Sequence, residues 1–241
     1  MLKKIILVAL GSWIMTAVIA QPPKNAVNFY KTGITLRDKG MYPEAMKAFK
    51  QATILYKKYD SAYLEMGNIC VKLNRIDSAV SYYKKATVAN PKQVMAYMSM
   101  GNIYRDNKSN IDSALLCYLP AVRIDSTDKV IFYSIAWCYN AKTKYDSAII
   151  YAARALDLDN GYRPAYGELA HAYHASKKYN EAMEQFKKNI AISEVDLPMY
   201  YLGLCYLELN HKEEAQKLCD RLNKMGSKLG ESLKKRIEAK H

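Results

Sequence analysis

One segment of this chain carries residue types that could hold a metal ion, namely Glu168, His171 and His174. Histidines three residues apart share one face of a helix, so His171 and His174 could contact the same ion. Glu168 and His174 are six residues apart, which at about 100° per residue turns them about 240° from one another. Because three ligands do not converge from this helix alone, we favour a polar surface patch, and predict no metal site and no cofactor.

The five cysteines are the other reactive set. No two of them are spaced as Cys-x-x-Cys, which argues against a zinc ribbon. Cysteine is among the most buried residue types, so inert thiols in the core are one expectation. Cys205 and Cys219 lie in one predicted helical hairpin, and a disulfide between them is the alternative.

The sequence lacks the motifs of the common catalytic sites. It contains no glycine-rich phosphate loop, no HExxH and no GxSxG. No cysteine has a histidine and an acid in the arrangement of an activated nucleophile, and no carboxylate lies at an identifiable apolar pocket. We therefore predict no catalytic residues and expect that the protein is not an enzyme.

Residues 1–20 have the order of a secretory signal peptide. Two lysines precede an apolar run from Ile5 to Ala20, and Val18 and Ala20 supply small side chains at the −3 and −1 positions. About 16 residues at about 1.5 Å each reach about 24 Å, which is less than the ~30 Å hydrocarbon core of a bilayer. We predict cleavage near Ala20 and a periplasmic or extracellular protein. An uncleaved N-terminal membrane anchor is the alternative, and no later segment is apolar enough to span a bilayer.

A period near 34 residues organises the rest of the chain. A glycine or alanine recurs at spacings of 34, 34, 35, 34 and 33, at Gly33, Gly67, Gly101, Ala136, Ala170 and Gly203. About twelve residues further on, every unit has an alanine, at Ala45, Ala79, Ala114, Ala148, Ala182 and Ala215. Four residues beyond that alanine come Phe49, Tyr83, Tyr118, Ala152, Phe186 and Cys219. Each unit also carries two runs of helical apolar spacing, so we predict two helices that approach closely at the small residues.

These positions resemble those of the tetratricopeptide repeat (TPR), whose pattern has a Leu-Gly pair, a tyrosine and then A-x3-F. The resemblance implies an all-α, right-handed solenoid of six helix-turn-helix repeats. It predicts a leader at 21–25, six repeats over 26–225 and a solvating helix at 226–241, where Leu229, Leu233 and Ile237 recur every four residues. The repeats are placed at about 26–59, 60–93, 94–128, 129–162, 163–195 and 196–225.

The resemblance also implies that the first helices line a concave groove that binds a protein or peptide ligand. The candidate groove residues are Tyr30, Asn68, Asn102, Arg105, Tyr133, Trp137, Asn140, His171, His174 and Tyr200. Asparagine can both donate to and accept from a peptide backbone, and Tyr and Trp are favoured at binding hot spots. Trp137 could instead pack between adjacent repeats. Leu64 and Met98 stand where a carboxylate-clamp TPR would have lysine, so that clamp is not predicted.

The charge is high and uneven. Lys and Arg number 36 against 23 Asp and Glu, a net charge of +13, and removal of the two lysines in residues 1–20 leaves +11. The excess of positive charge is concentrated at residues 21–60 and 211–241, where it could bind an anionic envelope surface. Because it consists mostly of scattered lysine, nucleic-acid binding is not predicted.

Together these features predict an exported, non-catalytic scaffold or adaptor that binds a partner protein or peptide in its groove. The alternative is a structural component of an envelope assembly. Such a component would self-associate or attach through its convex face and its basic ends.

Overall fold

The structure, a computed structural model, describes residues 21–107 and 109–240. These residues form thirteen α-helices and no strand. The helices are α1 (Lys24–Asp38), α2 (Tyr42–Leu55), α3 (Asp60–Lys72), α4 (Ile76–Ala89), α5 (Val94–Asp106), α6 (Ile111–Ile124), α7 (Lys129–Ala141), α8 (Tyr145–Leu158), α9 (Arg163–Ala175), α10 (Tyr179–Ile192), α11 (Asp196–Glu208), α12 (Lys212–Lys224) and α13 (Lys228–Ala239). The predicted all-α fold, six helical pairs and a final helix, is confirmed. The predicted signal peptide at residues 1–20 lies outside the described residues.

The chain divides after Lys57 into two compact units. In the first unit, α1 packs against α2 as a helical hairpin. In the second unit, α3 to α12 form five hairpins, each packed on the next, and α13 packs against both α11 and α12. Helix α9 also contacts α7 and α11, so the first helices of the last three repeats are direct neighbours.

The helices are short. The longest, α1, has 15 residues and the shortest, α13, has 12. Within residues 21–107 and 109–240, no helix combines the length and the hydropathy that crossing a membrane requires.

A residue with left-handed backbone follows the first helix of every repeat, two or three residues after the helix ends. These residues have φ between 46° and 74° and are Gly40, Asn74, Ser109, Thr143, Lys177 and Asn210. The next amide then donates back to a carbonyl near the end of the first helix, for example Arg75 N to Cys70 O at 2.8 Å. This bond satisfies a carbonyl that the helix leaves without a partner. In the third repeat the bond runs from Asn110 to Tyr104, one residue longer, so the extra residue of that repeat lies in the turn.

An aromatic ring of the second helix lies where a side chain on the first helix would be. A Cβ added at Gly67 would be 2.4 Å from Cε1 of Tyr83, and one at Gly101 would be 2.4 Å from Cε1 of Tyr118. Gly33 has the same relation to Phe49 in the first unit, at 2.6 Å. Glycine at these positions is therefore required by close approach, and it allows a large ring to be fully buried.

Two later repeats solve the same packing problem with other residues. In the fourth repeat the ring is replaced by Ala152, the glycine is replaced by Ala136, and Leu169 of the next repeat packs against both. In the last repeat Cys219 occupies the position of the ring. A Cβ at Gly203 would instead lie 2.6 Å from Leu233, so α13 supplies the missing side chain.

All five cysteines are buried and unpaired. Burial raises the pKa of the Cys138 and Cys205 thiols to about 12, and that of Cys117 to about 11. Thiols with such pKa values stay protonated near neutral pH and are poor nucleophiles.

The contact between Gly101 and Tyr118 can be tested with a double-mutant cycle. Gly101→Ala should lower the free energy of unfolding by about 1–2 kcal/mol, because overpacking outweighs the gain of about 1 kcal/mol in helix propensity. Tyr118→Ala should lower it by about 3–5 kcal/mol by leaving a cavity. The double variant should lose less than the sum of the two, since it recreates the Ala136–Ala152 pairing of the fourth repeat. Urea denaturation measures all three, and strictly additive losses would contradict the close contact.

Candidate functional site

The ten predicted groove residues all lie on first helices. Tyr30 is on α1, in the first unit, where its ring lies 5.6 Å from that of Phe49. The other nine are in the second unit, distributed as Asn68 on α3, Asn102 and Arg105 on α5, Tyr133, Trp137 and Asn140 on α7, His171 and His174 on α9, and Tyr200 on α11.

Asn68 and Asn102 hold the second helix of their own repeat. The hydroxyl of Tyr83 donates to Oδ1 of Asn68 at 2.8 Å, and that of Tyr118 donates to Oδ1 of Asn102 at 2.6 Å. Repeats whose buried ring is phenylalanine have no hydroxyl to bind, and they carry other residues at this position. Sequence reasoning missed this pairing of Asn with Tyr, although both residues stand at fixed places in the period.

Arg105, Tyr133 and Trp137 form a polar and aromatic surface between α5 and α7. The Arg105 guanidinium donates to both carboxylate oxygens of Asp106, at 2.5 and 2.9 Å, and lies 5.5 Å from the centre of the Trp137 ring. The Tyr133 ring meets that of Tyr162 edge to face at 5.8 Å. Trp137 is half-buried, so it contributes both to packing and to the surface.

Three of the predicted residues, Trp137, Asn140 and His171, come together in one pocket of about 370 Å³. The pocket lies between the first helices α7, α9 and α11, with one ring supplied by α10. We call it the Glu168 pocket, and it is lined by Trp137, Asn140, Ala141, Gly167, Glu168, His171, Phe186, Leu197, Pro198 and Tyr201. The other seven predicted residues do not line it.

His174 and Tyr200 lie at the edge of this region. The His174 ring packs edge to face against Tyr201 at 5.4 Å and against Tyr179 at 5.8 Å. His174 also lines a second cavity, of about 360 Å³, which Arg236 and Lys240 border. Within residues 21–107 and 109–240, no three His, Cys, Asp or Glu side chains are grouped so that they could hold a metal ion.

A half-buried carboxylate and a buried amide meet at the Glu168 pocket. Nδ2 of Asn140 donates to Oε2 of Glu168 at 2.8 Å and to the Glu168 carbonyl oxygen at 2.9 Å. Burial raises the pKa of the Glu168 carboxyl above its ordinary value, while the hydrogen bond from Asn140 and the charge of Arg105 act in the opposite direction. Keeping Glu168 ionised in the folded protein therefore costs free energy.

Two polar atoms of the pocket residues are buried without a hydrogen-bond partner, Oδ1 of Asn140 and Nδ1 of His171. Asn140 is 7% exposed, so water reaches little of its amide. Burial lowers the pKa of His171, which favours the neutral imidazole. Buried polar atoms are nearly always paired in folded proteins, so these two atoms mark residues of the pocket lining whose hydrogen bonds are left unmade.

Sequence reasoning missed Glu168 and Tyr201 as residues of this pocket. It considered Glu168 only with the two histidines, as part of a polar surface patch, and it named Tyr200 rather than its neighbour Tyr201.

Stacked helical pairs with a ligand-sized pocket between first helices define a helical-repeat protein with a candidate binding face. One tetratricopeptide repeat profile matches residues 60–93, 131–162 and 164–196, and a second profile of the same description matches residues 199–224. The chain belongs to the tetratricopeptide repeat family, as the sequence resemblance predicted.

Solved structures agree on the fold. YrrB, a TPR protein with an unusual peptide-binding site, superposes with a TM-score of 0.71 at 21% identity, over 79% of this chain and 99% of YrrB. PilW, a type IV pilus biogenesis factor, gives 0.67 at 17% identity, over 88% of this chain and 99% of PilW. A TPR protein from Parabacteroides merdae gives 0.68 at 14% identity, over 90% and 86% of the two chains. No curated protein sequence matches the chain.

The raised pKa of Glu168 predicts how stability depends on pH. Because the folded protein binds the proton of this carboxyl more tightly than the unfolded chain, ionisation of Glu168 lowers stability at neutral pH. Glu168→Gln should therefore raise the free energy of unfolding at pH 7.5. This gain should shrink as the pH falls towards about 4.3, the ordinary pKa of glutamate. Thermal denaturation from pH 4 to pH 8 measures this gain, and Glu238→Gln, at an exposed residue of α13, is the matched control. A gain independent of pH would contradict the assignment.

Proposed function

We propose that this protein is an exported, non-catalytic adaptor that binds a segment of a partner protein or peptide on the face formed by its first helices, with the Glu168 pocket as the principal contact. The observation that carries the proposal is this pocket. It joins aromatic side chains with buried acceptors that have no partner, and three residues predicted from the repeat pattern line it.

The residues around the pocket have the character of a binding hot spot. Trp137 and Tyr201 supply large contact areas with few rotatable bonds, and such anchors dominate binding energies when they lie in a partly closed pocket. Leu197, which is 52% exposed, offers apolar area beside them. YrrB shares the fold and is a TPR protein with a peptide-binding site, so the architecture is compatible with this use.

The binding proposal predicts the effect of removing the aromatic anchors. Trp137→Ala combined with Tyr133→Ala should weaken capture of the partner by about 2 kcal/mol, which is about thirty-fold, because a central aromatic anchor is lost. A quantitative pull-down from envelope extract measures the loss. Leu116→Ala, a variant at a 73% exposed residue of a second helix, is the matched control and should capture the partner as the wild type does.

Trp137 also packs against the core of its repeat, so its replacement by alanine removes core packing as well as the surface side chain. A second variant separates these two effects. Leu197→Arg places a long side chain at the pocket from an exposed position in the first turn of α11, and it should also reduce capture. If both variants are folded and still capture the partner, the proposal that the partner binds at the Glu168 pocket is wrong. Salt-sensitive association that neither variant affects would support the structural, self-associating alternative instead.

Export is the part of the proposal that depends on residues 1–20. Expression of the full chain with its N-terminal segment should yield an envelope or secreted protein whose N-terminal residue is Gln21, because residues 18–20 have the pattern of a cleavage site. Intact-mass spectrometry measures this. A full-length mass in the membrane fraction would support an uncleaved anchor, and a full-length mass in the soluble cytoplasm would contradict export.

A further inference from the structure

We propose that the Glu168 pocket binds the side chain of a basic residue, lysine or arginine, carried by the partner. This inference rests on the proposed function, because it names the chemistry of the group that fills the same pocket.

The first argument is an excess of hydrogen-bond acceptors. Glu168 brings a carboxylate to the pocket, and the two buried unpaired atoms, Oδ1 of Asn140 and Nδ1 of His171, belong to residues of the same lining. Nδ1 of a neutral histidine accepts a hydrogen bond when the proton is on Nε2. An ammonium group has three donors and no acceptor, and a guanidinium group has five donors and no acceptor. A basic side chain is therefore the protein group that best complements the Glu168 carboxylate of this lining.

The second argument is that the protein supplies no cation of its own to this carboxylate. Among the described residues, Glu168 forms no ion pair, and its side-chain hydrogen bond comes from the neutral amide of Asn140. Arg105, whose charge acts on Glu168, is itself bound to both oxygens of Asp106. A carboxylate that is partly removed from water, as Glu168 is, is stabilised most by a charged partner that also donates hydrogen bonds. A ligand cation would supply that partner.

The third argument comes from the walls of the pocket. Trp137, Phe186 and Tyr201 contribute aromatic rings, and those of Phe186 and Tyr201 are stacked with centroids 5.9 Å apart. A cation is attracted to the face of an aromatic ring, and apolar walls suit the methylene stem of a lysine or arginine side chain. A volume of about 370 Å³ is at the small end of the range for ligand pockets, which fits one long side chain better than a folded segment.

The distribution of charge agrees with a basic ligand. Residues 161–210, which contain α9, α10 and α11, carry five Lys and Arg against six Asp and Glu, a net charge of −1. The segments 21–60 and 211–241 carry +5 and +4. The pocket therefore lies in a part of this basic chain that carries a slight negative charge, and an anionic side chain would meet the Glu168 carboxylate directly.

Tryptophan fluorescence can test the inference on the full chain. In a Trp13→Phe background Trp137 is the only tryptophan, so its emission reports on the pocket. The probes are the blocked tripeptides Ala-Lys-Ala and Ala-Arg-Ala, and Ala-Nle-Ala, whose norleucine has the methylene stem without the ammonium group. We expect a saturable change with the lysine or the arginine peptide, and binding at least tenfold weaker with the norleucine peptide. The stronger of the two basic probes identifies the residue that the pocket prefers.

The matched variants are Glu168→Gln and Glu238→Gln. The first should remove the preference for a basic peptide over the norleucine peptide, and the second should leave it unchanged. Equal binding of the norleucine peptide, a preference that survives Glu168→Gln, or no response to either basic peptide would overturn the inference.

The pull-down separates this inference from the proposed function. If Glu168→Gln captures the partner like the wild type while Trp137→Ala/Tyr133→Ala loses it, the pocket is a binding site but not for a cation. If all of these variants, including Leu197→Arg, capture the partner fully, the proposed function itself fails.

Discussion

The close approach of two helices at a glycine is the constraint on which the early repeats depend. At Gly67 and Gly101 the ring of a tyrosine from the second helix occupies the space that a Cβ would need. This approach buries the ring completely and brings its hydroxyl into the protein, where it must find an acceptor. Asn68 and Asn102 supply that acceptor from the next position of the first helix. One steric contact therefore determines the residue type at three positions of a repeat.

Later repeats relax this constraint, and the Glu168 pocket lies where they do. Trp137 and His171 occupy the position that Asn68 and Asn102 hold in the second and third repeats. In the fourth repeat the buried ring is replaced by Ala152, and in the fifth it is Phe186, so neither repeat has a tyrosine hydroxyl to satisfy. The residue at this position therefore need not accept a hydrogen bond from a tyrosine hydroxyl, and in both repeats it lines the Glu168 pocket.

The energetics of the pocket differ from those of the core that supports it. The core is apolar and its tyrosine hydroxyls are bound, whereas the pocket contains a desolvated carboxylate and two unpaired acceptors. Such groups lower the stability of the protein. Helix α9 packs against both α7 and α11, and these contacts hold the groups in place.

The sequence by itself determined the class of the fold, because a period near 34 residues with two helical runs per unit can bury its apolar faces only by stacking. The resemblance to the repeat family also predicts that the first helices form a binding face, and three residues predicted for it, Trp137, Asn140 and His171, line one pocket. Tertiary structure alone decided that Glu168 and Tyr201 share the pocket with them, since these residues come from different repeats and meet only through the contacts of α9 with α7 and α11. It also decided that Asn68 and Asn102 bind tyrosine hydroxyls, and that Leu233 of α13 fills the space beside Gly203. Helical periodicity reports which face of one helix is apolar, but the distance between side chains on two helices depends on how the backbones pack.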